Sequence, residues 1–330
     1  MMFFPFPLAY FAPFLSFALA LLLLTVMLRG GWAGFALDHP NQRSLHAAPV
    51  PRTGGLALMA GVASGWLLLP SWLWPALAIA GMLLAISLWD DVRGLPVKWR
   101  LLAHVACAAA FVHLTGFAGW AGALLAIPAI IWMTNLYNFM DGSDGLAGGM
   151  ALFGFGGYGT LAWLGGDTTF ALACFAISGA AGAFLVFNFH PARIFMGDAG
   201  SIPLGFLAAA LGILGWQRGL WPLWVPLLAF SPFIVDASVT LAKRLLRGEK
   251  IWQAHREHYY QRLVQMGWGH RRTALAEYAL MAVAGASAIW AIGRDGRTQW
   301  AFGIVWGLAY LLAMWMVDAK WSRRQRQSGC

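Results

Sequence analysis

Eleven apolar runs constrain this chain more than anything else, most of them close to the roughly 20 residues a helix needs to cross a hydrocarbon core. Their approximate limits are 7–28, 54–70, 73–89, 101–117, 121–138, 146–164, 168–188, 200–215, 221–245, 273–292 and 299–317. In lipid, every backbone N–H and C=O must be satisfied within the segment, so separate apolar runs are forced to be helices. The expected fold is therefore all-α, a polytopic membrane protein with about eleven transmembrane helices. A chain that is 60% hydrophobic and only 11% charged is not a soluble domain with one core.

The charges give an orientation. Nineteen of the 22 Lys and Arg lie in the first, third, fifth, seventh and ninth loops and the C-terminal tail. The intervening loops hold only Arg218, Arg294 and Arg297. The positive-inside rule puts the basic loops and the C-terminus in the cytoplasm and the N-terminus in the periplasm, across the inner (plasma) membrane. No basic n-region precedes the first run, which reads as an uncleaved helix. The formal charge of +9 follows the membrane flanks, pointing to membrane lipids as partners and not to nucleic acid. Cys107 and Cys174 sit inside apolar runs and Cys330 is the last residue, with no CxxC spacing, so neither a disulfide framework nor a zinc site is indicated.

The polar chemistry collects on the cytoplasmic loops 31–53, 90–100, 135–145, 189–201 and 246–272 of a single domain, 1–330. At its centre, Asn135, Asn138, Asp141 and Asp144 recur every three residues, which on a helix makes one ridge of oxygens. Gly142 and Gly145 then release the chain into a turn. Carboxylates at the end of so apolar a helix mark a functional site by default. The bland readings are specific. Asp141 or Asp144 could cap the next helix, Asp90-Asp91 could be a solvated helix end paired with Arg93, and Asp198 could cap the helix it precedes. A calcium loop is excluded, because apolar residues 146–153 replace its remaining ligands. Asp236 reads as an organiser of helix packing, His104 and His113 as structural histidines, and Lys243 to Arg272 largely as cations drawn to anionic lipid. The ninth run, about 37 Å long as one helix, exceeds the core and should tilt, project inward or break near Pro232.

Four motifs then appear in order. They are Asp90-Asp91, Asn135-x-x-Asn138-x-x-Asp141-Gly-x-Asp144-Gly-Leu, Phe195-Met-Gly-Asp198-x-Gly-Ser201, and the loop His255-Arg256-Glu257-His258-Tyr-Tyr-Gln-Arg262. Together they resemble the polyprenyl-phosphate N-acetylhexosamine-1-phosphate transferases, the MraY, WecA and WbpL types. The last loop, which lacks the His-rich run of the first two types, is most similar to the WbpL-like O-antigen initiating branch. The resemblance implies transfer of a HexNAc-1-phosphate from a UDP-sugar to polyprenyl (undecaprenyl) phosphate, releasing UMP and initiating O-antigen or another surface glycan. It also implies a Mg²⁺ cofactor, with Mn²⁺ as a substitute, held by Asp198 and Asn138. Asp90 and Asp91 then stand at the lipid phosphate or the metal, with Asp198, as catalytic residues. Asp141, Asp144, Arg193, His255, Arg256, His258, Arg262, Arg43, Ser44 and His46 fall to substrate binding, and a homodimer is one compatible assembly.

Positioning and charge neutralisation matter most in such chemistry. A phosphate monoester is already largely dianionic at neutral pH, so direct attack is favoured over a covalent aspartyl intermediate. Two other classes stand beside this one. An Mg-dependent intramembrane prenyltransferase needs two Asp-x-x-x-Asp loops, whereas here Asp-Asp is followed by Val-Arg-Gly. A membrane transporter places polar residues near the midplane on inverted repeats, whereas these carboxylates sit at helix ends.

Overall fold

The apolar runs fold as helices, as a backbone without access to water demands. The computed structural model describes residues 6–31, 34, 36–38, 45, 49–116, 119–250, 253 and 255–327. Its helices are α1 (Phe6–Ala9), α2 (Ala12–Arg29), α3 (Gly54–Trp66), α4 (Trp74–Arg93), α5 (Val97–Leu114), α6 (Gly119–Phe139) and α7 (Leu146–Leu164). They continue with α8 (Thr168–Asn188), α9 (Asp198–Gln217), α10 (Trp224–Ala229), α11 (Ser231–Leu246), α12 (Tyr259–Leu263), α13 (Gly269–Ala291) and α14 (Gly296–Gln327). Among the described residues, the only sheet is a pair of two-residue strands, β1 (Leu37–Asp38) antiparallel to β2 (Val50–Pro51), with Leu37 opposite Pro51.

The protein is all-α and polytopic. Eight helical stretches of the described chain are long and apolar enough to cross a membrane. The three other expected spans are shorter, richer in glycine or divided. α3 has 13 residues, α7 carries six glycines, and the run 221–245 divides at Phe230 into α10 and α11. Pro232 in the first turn of α11 has no N–H to extend the preceding helix, so the over-long run breaks where proline predicts.

α8 and α9 form the centre. α8 packs on α2, α3 and α7, while α9 packs on α3, α4 and α6. Lipid tails are as apolar as leucine, so helices associate through close backbone approach across small residues. α8 supplies Ala171, Ala173, Ala176, Ala180, Ala181 and Ala183, all fully buried. Gly55 of α3 and Gly200 of α9 meet backbone to backbone, so that a Cβ on either would collide with the other's Cα. The margin is different: 78% of the α9 span is buried, against none of α14.

The segment before α9 is held by main-chain bonds. Phe195 N donates to Pro51 O at 2.7 Å, and Gly54 N and Gly55 N donate to Phe195 O and Met196 O, both at 2.9 Å. Gly197 follows at φ +69°, with Arg52 O where a Cβ would stand. The strap fixes the first residue of α9, Asp198, in front of α4, α5 and α6.

Candidate active site

Asp198 is the hub. One carboxylate oxygen accepts from Asn138 Nδ2 at 2.8 Å, and the other meets Arg100 Nη2 at 3.2 Å. Asn138 Nδ2 also donates to Ser201 Oγ at 2.9 Å. The Asn138 amide nitrogen is thus spent on α9, and its oxygen accepts no hydrogen bond from the described residues. Asp198 does not cap α9: the N-cap is Gly197, and the Asp198 carboxylate is bonded across helices to Asn138 and Arg100.

Arg100, one turn into α5, reaches back to Asp90 Oδ2 at 3.1 Å, so a single guanidinium bridges Asp90 and Asp198. Asp90 Oδ1 also accepts from Leu95 N at 2.5 Å, which closes the α4–α5 turn. Asp91 meets Arg52 Nη1 at 3.4 Å, and Arg52 Nη2 donates to the Asp91 carbonyl at 3.3 Å. Neither carboxylate pairs with Arg93, which lies over the Trp89 ring at 5.9 Å.

α6 ends at Phe139, so the oxygen ridge expected over Asn135 to Asp144 divides there. Asp141 leans on the strap and accepts from the Gly197 backbone. Burial, then the charges of Asp198 and Asp38, push its carboxyl up to about 7, against the Gly197 bond that lowers it. Asp144 goes elsewhere. Its Oδ2 takes His190 Nδ1 at 2.6 Å and Ala192 N at 3.1 Å, while Oδ1 lies 3.8 Å from His270 Nδ1. Ser143 Oγ bonds the same His270 nitrogen at 2.8 Å, and the His190 and His270 rings stack at 5.4 Å. Gly145 N donates to Asn188 Oδ1 at 2.9 Å and Tyr278 OH to Gly145 O at 2.6 Å, so no Asp caps α7.

The loop before α12 forms a third group. Asp236, in α11, accepts Tyr259 N at 2.8 Å, Tyr260 N at 2.9 Å and His258 Nδ1 at 3.2 Å, capping α12 from a neighbouring helix. It organises packing, as expected of it. His255 tilts against His258 at 4.8 Å, and desolvation, then His258 and Arg244, hold its pKa down to about 4. Arg262 is buried and paired with Asp318 at 2.8 Å. Arg256 and Arg193 are exposed, the latter over the Phe187 ring at 5.2 Å, and among the described residues neither has an ion pair. Arg43, Ser44 and His46 lie outside the described residues.

The structure therefore brings together Asp90, Asp91, Asn138, Asp141 and Asp198, with Asp144 beyond the turn, on His190, and with His255, His258, Arg256 and Arg262 around α12. Sequence reasoning missed Arg100, Arg52, Ser201, His190 and His270 as members. A lone arginine one turn into an apolar helix was the available signal for Arg100. Nothing in the sequence joins His270 to Asp144.

Comparison with known proteins accounts for this arrangement. The model of Glycosyl transferase family 4 matches residues 73–216, from the start of α4 to the end of α9. The chain is 31% identical to the phospho-N-acetylmuramoyl-pentapeptide-transferase of Levilactobacillus brevis, over 73% of this chain and 84% of that protein. It is 31% identical to the decaprenyl-phosphate N-acetylglucosaminephosphotransferase of Mycolicibacterium smegmatis, over 84% and 81%. With the Bacillus subtilis protein named "Probable undecaprenyl-phosphate N-acetylglucosaminyl 1-phosphate transferase" it shares 30% identity over 77% and 76%. Likeness at this level across most of each chain, with carboxylates of two motifs, Asp90 and Asp198, held by one arginine, is decisive: the chain belongs to Glycosyl transferase family 4, the polyprenyl-phosphate N-acetylhexosamine-1-phosphate transferases.

Proposed function

We propose that the protein transfers a HexNAc-1-phosphate from a UDP-N-acetylhexosamine to polyprenyl phosphate on the cytoplasmic side of the inner membrane. The products are polyprenyl-diphosphate-HexNAc and UMP, and the step initiates a surface glycan such as O-antigen. The observation that carries this reading is the convergence of Asp90, Asp91, Asn138, Asp141 and Asp198, with Arg52 and Arg100 the cations that pair with them among the described residues. The relatives' names, which pair a polyprenyl phosphate with N-acetylglucosamine phosphate, support the substrate class.

The donor set fits a divalent cation. Among the described residues four carboxylates face two guanidiniums, and burial, then the charges of Asp198 and Asp38, raises the Asp141 carboxyl. Asp198 and the free amide oxygen of Asn138 would hold Mg²⁺, which takes one or two protein oxygens together with phosphate oxygens and waters. When bound, it would neutralise charge on the phosphates being joined.

The chain's own residues do the rest. Arg100, held from both sides by carboxylates, keeps a fixed cation beside the site where two phosphates must approach. The Ser201 hydroxyl holds the Asn138 amide, and that amide in turn fixes the Asp198 carboxylate, which is preorganisation and not direct chemistry. Asp144, fixed by His190 and Ala192 N beyond the turn, is assigned to the nucleotide side.

The test is UMP release by purified protein in detergent, with undecaprenyl phosphate, Mg²⁺ and a panel of UDP-N-acetylhexosamines. Lipid-dependent UMP from one donor is expected. It should fall by about a hundredfold or more in Asp198→Asn and vanish with chelator. Lipid-independent UMP, or an Asp198→Asn variant as active as wild type, overturns the assignment.

A further inference from the structure

A second polar network lies at the inner end of the C-terminal helix. α14 buries none of its 32 residues, yet Asp318 near its end takes three donors from two other elements. They are Lys243 Nζ of α11 at 2.5 Å, and Tyr259 OH and Arg262 Nη1 of α12 at 3.1 and 2.8 Å. Arg262 stacks over Tyr259 at 5.2 Å and Trp321 at 5.9 Å, and reaches Glu257 at 3.9 Å. Glu257 in turn binds Arg244 at 3.0 Å and Arg247 at 2.5 Å. α12 then touches the site. The fully buried Tyr260 sets its hydroxyl 3.5 Å from Phe139 O, and the same hydroxyl occupies the space a side chain on Gly142 would need. Phe139 directly follows Asn138, and Gly142 directly follows Asp141.

We propose that Asp318 is a positioning residue for the transfer: it clamps α12 against α11, and through Tyr260 holds the turn carrying Asn138 and Asp141. The proposal rests on the transferase reading above. Charge-assisted bonds to a carboxylate are the strong ones, and α14 offers little packing to substitute for them. Neutralising Asp318 removes the carboxylate that Lys243 and Arg262 share, leaving Lys243 on the Tyr259 hydroxyl and Arg262 only the 3.9 Å approach of Glu257, which Arg244 and Arg247 already hold, so that α12 is loosened from its seat.

The experiment compares Asp318→Asn and Asp318→Glu with Asp295→Asn, an exposed residue at the opposite end of α14 that accepts only from Arg297 and Thr298. Asp318→Asn is expected to lose about tenfold in kcat/KM for the nucleotide sugar while KM for polyprenyl phosphate is unchanged. Asp318→Glu recovers to within about twofold, and Asp295→Asn matches wild type. Hydrogen exchange in Asp318→Asn is expected to speed up in both 259–263 and 139–145 and to stay unchanged in α8. Faster exchange confined to 259–263 with wild-type kinetics makes Asp318 a tail anchor only, and overturns the proposal. Uniform loss of protection overturns it too, in favour of a global folding role. Exchange needs no turnover, so an inactive wild type would defeat the transferase reading while the coupling from Asp318 to the 139–145 turn is still judged.

Discussion

Arg100 carries more of the site than its place in the sequence suggests. One guanidinium spans Asp90 and Asp198, which come from different motifs, and a bidentate fork does this where an ammonium cannot. Arg100→Lys is therefore expected to lose about tenfold in UMP release and Arg100→Ala about a hundredfold, at unchanged expression and monodispersity. Equal activity of Lys and wild type would show that only charge matters there. The motif carboxylates and Asn138 are legible in the sequence because charge beside hydrocarbon is costly and must have a purpose. Their partners are not, because a contact such as Ser143–His270 joins residues far apart in the chain whose types are unremarkable. His255 gives a second test at this scale. Its pKa is lowered from 6.5 to about 4, so between those values the unfolded chain binds a proton that the folded one resists. Stability is fully present above about 6.5 and drains away as pH falls toward 4. Melting temperatures of His255→Gln should fall less steeply than wild type across that window and track it above pH 7. Parallel curves would place the titration elsewhere.

At the level of elements, the period-three ridge over Asn135 to Asp144 shows how far pattern reading goes. It identifies the right stretch but assumes a continuing helix, whereas α6 stops at Phe139 and sends Asp141 and Asp144 to different neighbours. Proline at the start of α11 was a usable signal because its effect is local. The Asp236 cap on α12 was only half legible: its location spoke for packing, but not for which backbone amides it holds. The α3–α9 contact is the element-scale feature most open to test. Gly200→Ala inserts a methyl against Gly55 Cα and Met196, and should cost about 3 kcal/mol as a lower melting temperature and weaker donor binding. Gly285→Ala, where nothing lies within 4 Å, should be neutral or slightly stabilising. If both behave alike, the strap that delivers Asp198 does not depend on that contact.

For the whole molecule, hydropathy supplied the all-α polytopic class, since lipid leaves a backbone so few options. They did not separate a central α9 from a peripheral α14, because both read as apolar spans and only packing distinguishes them. The proposed function requires this bundle to pass a sugar phosphate, and not a bare sugar, to a lipid phosphate. The most direct measurement is the mass of the lipid product formed from undecaprenyl phosphate and the preferred UDP-HexNAc, taken with the identity of the released nucleotide. The account predicts an undecaprenyl diphosphate carrying one HexNAc, with UMP in equal amount. An undecaprenyl monophosphate-linked sugar released with UDP would contradict it.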